Sequence, residues 1–99
     1  MKYVVGIYQK TFYSEKEKDI IEKDVEILKD IFYKDVEEIA FKYNGILYGY
    51  GLYKNNYRDL DFYFNNNTKA KKFSIALKKY IKKNDIKESK IYKYVSNYS

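Results

Sequence analysis

The stretch EIAFKYNGILYGYGLY, residues 38–53, decides the fold of this 99-residue chain. Read one way, Val36, Ile39 and Tyr43 continue the helical period of the residues before them, and Asn44-Gly45 stops the helix. Read the other way, EIAFKY alternates, and Asn-Gly ahead of ILYGYGLY is a strong hairpin signal. The second reading is favoured here and predicts strands at about 37–43 and 46–53.

Upstream, KYVVGIY at 2–8 is β-branched and aromatic, and reads as a first strand. Ser14 and Glu17 have the spacing of a capping box. Beyond them Ile20, Ile21, Val25, Leu28, Ile31 and Phe32 recur at helical spacing, which predicts an amphipathic helix over 15–34. Downstream, KNNYR is a turn, and LDFYF at 60–64 is a strand with Leu60, Phe62 and Phe64 on one face. NNNT at 65–68 caps a helix over about 69–84 that ends at Asn84-Asp85, and KIYKYV at 90–95 is a last strand. The order β-α-β-β-(β)-α-β predicts one α+β domain, an antiparallel sheet packed by two helices in the ferredoxin-like manner.

Composition narrows the chemistry. The chain has no Cys, His or Trp, which removes disulfides, thiolate or imidazole metal sites, and triads that need a histidine. Serines 14, 74, 89 and 96 have no histidine to act as base, so nucleophilic catalysis is not expected. The apolar run ILYGYGLY is too short to span a bilayer, and the N-terminal apolar segment is too brief for a secretory signal, so a cytoplasmic protein without membrane partners is expected. Lys and Arg total 20 with a single arginine, Tyr 14 and Pro 0, a bias that points to an AT-rich genome and discounts bare counts of lysine and tyrosine. Placement is then the informative quantity.

The lysines are placed unevenly. Residues 69–99 hold ten basic and two acidic groups, whereas the helix at 15–34 mixes five lysines with seven acids. In KKFSIALKKYIKK, residues 71–83, a helical wheel gathers Phe73, Ala76, Leu77, Tyr80 and Ile81 on one side. Lys71, Lys72, Lys78, Lys79, Lys82 and Lys83 fall in an arc of about 140° opposite, with Ile75 among them. A charged helix face is ordinarily just solvated. Against that, like charges at i, i+4 repel by a few tenths of a kcal/mol per pair, and no acid is interspersed here. The expectation is a contact surface for nucleic acid or an acidic protein, extended by Lys90 and Lys93 of the last strand.

A second surface is aromatic. Tyr48, Tyr50, Tyr53 and Tyr63 crowd the middle strands, where they could stack on bases, meet a protein, or join two copies in a homodimer. The GYG at 49–51 resembles the centre of the strand signature of RNA-recognition modules, without its preceding basic residue and closing aromatic.

Finally, LYGYGLYKNNYRDLDFYF, residues 47–64, is similar to the nucleotidyltransferase superfamily, in which a Gly-Ser turn holds phosphate and an Asp-x-Asp pair binds a divalent metal. The resemblance implies metal binding by Asp59 and Asp61, which two-residue spacing puts on one strand face, with Arg58 adjoining. Tyr50 stands where the turn serine belongs, KIYKYV offers no third carboxylate, and a strand rather than a helix opens the chain. The plainer reading is an Arg–Asp pair with solvent-facing acids on an edge strand. The expectation is therefore a small non-enzymatic binding protein without cofactor or metal, of the kind found as viral or mobile-element accessory proteins. Two alternatives accompany it: an inhibitor of a host factor acting through the acidic first helix, around Glu15, Glu22 and Glu26, or through the tyrosine-rich sheet, and a degenerate nucleotidyltransferase-like fold.

Overall fold

The structure is a computed structural model that describes residues 2–10, 31–52, 57–86 and 88–96. In chain order the elements are β1 (Lys2–Lys10), α1 (Ile31–Lys42), β2 (Ile46–Leu52), β3 (Tyr57–Phe64), α2 (Asn67–Lys83) and β4 (Ser89–Ser96). The strands form one antiparallel sheet in the order β2-β3-β1-β4, with the two helices packed against it, an α+β architecture. No helix among the described residues is long and apolar enough to cross a membrane.

Residues 37–42 are helix and Tyr43 lies in the turn that follows, so the strand expected at about 37–43 is not formed. The reason lies at Asn44. Its backbone turns left-handed, at φ 62°, a conformation that asparagine tolerates better than most residues. The Gly45 N–H then donates to Ala40 O at 2.8 Å and the Asn44 N–H to Phe41 O at 3.0 Å, the paired bonds of a Schellman C-cap. Asn-Gly here ends a helix instead of reversing a strand. Val36 and Ala40 are buried one turn apart, Ile39 and Tyr43 pack at the core's edge, and Phe41 is left exposed. The hairpin is formed instead by β2 and β3. Of the helix expected over 15–34, residues 31–34 lie in α1, and 15–30, with Glu15, Glu22 and Glu26, lie outside the described residues.

α2 ends in the same way. Asp85 is left-handed at φ 50°, Ile86 N–H donates to Ile81 O at 3.0 Å, and both isoleucines pack on the core. Its N-terminus is capped by Asn66, whose side chain accepts from the Lys69 N–H at 3.1 Å.

The core lies between the helices and one face of the sheet. Alternation in β3 buries Arg58, Leu60, Phe62 and Phe64 and leaves Tyr57, Asp59, Asp61 and Tyr63 on the other face. Val5 and Ile7 pair with Phe62 and Leu60. Phe32, Tyr33, Val36 and Ala40 of α1 and Ala70, Phe73 and Leu77 of α2 close the core from above. Phe73 wedges between Phe62 and Phe64, with ring centroids 5.6 and 5.2 Å away. Burying each such ring stabilises the fold by about 1.5–3 kcal/mol.

Candidate functional site

Because α2 buries Ala70, Phe73, Ser74 and Leu77, helical geometry turns the remaining residues outward. Lys71, Lys72, Ile75, Lys78, Lys79, Lys82 and Lys83 are all exposed, Ile75 by 54%. Among the described residues none of these lysines makes an ion pair; the salt bridge found, Lys10 Nζ to Glu88 Oε2 at 3.3 Å, lies elsewhere.

The lysines do not form one uniform face. Lys78 and Lys82 share a groove with Lys90 of β4, floored by Ile81 and Ile91. Lys72 and Lys79 flank Ile75 in a depression that reaches Tyr43 at the end of α1. Lys83 lies apart from both, in a cleft with Asp35 and Glu38 of α1, where Tyr80 donates to Asp35 Oδ2 at 2.7 Å. Lys93 is exposed at the other end of α2, beside Asn67 and Ala70. The strongest convergence is therefore Lys78, Lys82 and Lys90, two elements meeting around one groove.

The sheet face away from the helices carries the aromatics. Tyr48 and Tyr63 meet there edge to face at 5.7 Å, with Lys2 Nζ 4.3 Å from the Tyr63 ring centroid, close enough for a cation–π attraction. Tyr50 is not with them. It pairs with Leu60 on the helix side of the sheet and is 49% exposed at the β2 edge. Tyr53 lies outside the described residues. The same open face holds Tyr8 stacked on Tyr57 at 4.7 Å and Tyr92 stacked on Tyr94 at 6.4 Å. These four escape a reading of single strands, because each meets its partner through sheet register or the spacing of β4, not through a local motif. The rings face one another, so their π-faces are already partly engaged.

Asp59 and Asp61 share this open face, as two-residue spacing requires. Arg58 does not adjoin them, a correction to the expected Arg–Asp pair: strand alternation sends it to the other side. There it is 2% exposed, its Nε donates to Gln9 Oε1 at 3.1 Å, and its guanidinium stacks 4.7 Å over Phe32. Asp61 is engaged by Tyr92, whose hydroxyl donates to its Oδ1 across β1. Gly6 of β1 makes this meeting possible: a β-carbon there would collide with the Asp61 carboxylate and the Tyr92 ring. Among the described residues no group of three potential metal ligands assembles around the pair.

Partial burial raises the Asp61 pKa above its ordinary value; the Tyr92 hydrogen bond opposes that rise and the Asp59 charge adds to it. Burial, with the Asp61 carboxylate beside it, raises the Tyr92 hydroxyl too. A carboxyl with a raised folded pKa binds its proton more tightly in the folded state, so the penalty for ionising it appears as pH rises through the folded pKa and vanishes below the unfolded one. Asp61→Asn keeps an oxygen for Tyr92 to donate to and removes the charge. Urea unfolding across pH 3 to 8 (about the span of carboxylate titration) is expected to find the variant more stable than wild type at neutral pH, with the difference shrinking on acidification. An advantage that grew towards low pH would contradict the assignment.

Comparison with protein-family models, curated proteins and solved structures found no match for this chain.

Proposed function

We propose that this protein works by binding and not by chemistry, and that it binds the phosphate backbone of nucleic acid through α2 and β4. The observation that carries the reading is the groove where Lys78, Lys82 and Lys90 converge without a described acid to neutralise them. A helix rises 1.5 Å per residue, so Lys71 to Lys83 extend over roughly 18 Å, about the span of five phosphates of one strand. The reading places the protein in the cytoplasm with its polyanion. For the finer fold we infer a ferredoxin-like arrangement, supported by the β-α-β-β-α-β order and by β3 inserted between β1 and β2.

The test is titration of a fluorescent DNA duplex over a range of salt. The log of the affinity is expected to fall linearly with the log of salt, with a slope near −0.9 per phosphate neutralised. Lys78→Glu with Lys82→Glu is expected to weaken binding at least about tenfold, or about 1.4 kcal/mol, and to flatten that slope. Lys34→Glu with Lys42→Glu makes the same change in net charge from exposed positions on α1. Equal losses in the two double variants would mean that net charge and not this groove governs binding. An acidic protein partner is the competing outcome. It would show as a larger loss in Ile75→Ser than in the lysine variants, because a buried apolar anchor matters more in protein contacts.

A further inference from the structure

The two edges of the sheet are built differently. β4 carries exposed Lys90 and Lys93, and charges on an edge strand discourage another strand from adding to it. β2, ILYGYGL, carries no charge at all and has a strand neighbour only on its β3 side among the described residues. Its side chains are exposed as well: Ile46 by 50%, Tyr48 by 38% and Tyr50 by 49%. Phe41 of α1 is 56% exposed. It stands on the side of α1 that Tyr33 and Glu37 share, by spacing of four, and α1 is in contact with β2. Among the described residues, four of the seven large apolar side chains left exposed thus fall within residues 41–50.

We propose that β2 is the seam of a symmetric dimer, in which it pairs antiparallel with β2 of a second copy and the two sheets continue as one of eight strands. Charge argues for a second copy as the occupant. The chain carries +6, so two copies repel wherever their lysines approach. Those lysines gather on α2 and β4, and β4 is the opposite edge of the sheet. Meeting at β2 keeps the basic surfaces at the far ends of the pair. No charged side chain on β2 selects a foreign strand by complementarity, whereas a two-fold contact needs only a strand that fits itself. The two-fold axis stands perpendicular to the sheet, so both helix layers lie on one side and the tyrosine faces run together on the other. Space is available at the middle of the seam: a β-carbon at Gly49 would meet nothing within 4 Å.

Sedimentation equilibrium from about 1 to 200 µM tests the proposal. Wild type is expected to dimerise in that range. Ile46→Lys with Tyr50→Lys is expected to weaken the dimer at least about 100-fold, since it supplies the edge charges that β2 lacks. Tyr94→Lys with Val95→Lys, at exposed positions of β4, is expected to dimerise as wild type does. A wild type that stays monomeric throughout overturns the proposal, as does a dimer lost only in the β4 variant. Should the β2 variant not fold, amide exchange in wild type decides. The β2 amides that point away from β3 are expected to exchange more slowly as concentration rises, and exchange independent of concentration overturns the seam. Neither result bears on the lysine groove, because its salt-dependent binding is measured separately.

Discussion

Phe73→Ala is expected to lower the unfolding free energy by about 3–5 kcal/mol, the range for truncating a fully buried aromatic. Phe73 is 0% exposed and touches the rings of Phe62 and Phe64. Those two belong to the strand that pairs with both β1 and β2. The vacated space is bounded by sheet on one side and helix on the other, so it collapses poorly, and the loss sits at the upper part of the range. For a domain of this size the melting temperature falls on the order of 20 °C. Urea denaturation followed by far-ultraviolet dichroism measures the effect. A loss under about 1 kcal/mol would mean that α2 is not seated on β3 as described.

Gly45→Ala is expected to cost about 1–3 kcal/mol, the range for forcing an extra carbon into a packed core. The cost is one of space: the glycines among the described residues have no positive φ. A β-carbon at residue 45 would sit 2.6 Å from Cε1 and Cζ of Phe64 and 3.1 Å from the Ala40 carbonyl oxygen. Phe64 is 1% exposed and has nowhere to retreat. A double-mutant cycle with Phe64→Leu checks the cause. The smaller side chain should relieve part of the alanine's cost, giving a favourable coupling of about 0.5 kcal/mol or more. Strict additivity would refer the loss to the helix cap instead.

Most of the strands and α2 are legible in the sequence because their signals are local. Alternation in LDFYF and the wheel of KKFSIALKKYIKK each state which side faces the core, and the structure buries Leu60, Phe62 and Phe64 of the one and Phe73 and Leu77 of the other, although β3 begins earlier, at Tyr57, in the stretch read as a turn. EIAFKYNG failed because two local signals conflict there. Asn-Gly serves a hairpin turn and a helix end equally well, and what separates them, the burial of Val36 and Ala40 in the core and the seating of Gly45 against Phe64, belongs to the tertiary fold. The exposure of the lysine face followed from helix geometry alone. Its convergence with Lys90 did not, because β4 approaches α2 only in the folded chain. Arg58 is the instructive miss. Alternation places it opposite Asp59, yet its adjacency in sequence suggested a pair with the aspartates, and the strand period overrides adjacency.

The position of β1 in the sheet governs the order of events in time. Both of its neighbours come from later in the chain: Val5 pairs with Phe62 of β3 and with Lys93 of β4. On a ribosome, where chains emerge from the N-terminus, β1 therefore waits unpaired while the β2–β3 hairpin closes locally. Pairings this distant in sequence are slow, because loop closure is costly before contact is made. β1 gains its second neighbour only when residues 89–96 arrive, and until then one edge of its apolar VVGI segment is open to a chaperone.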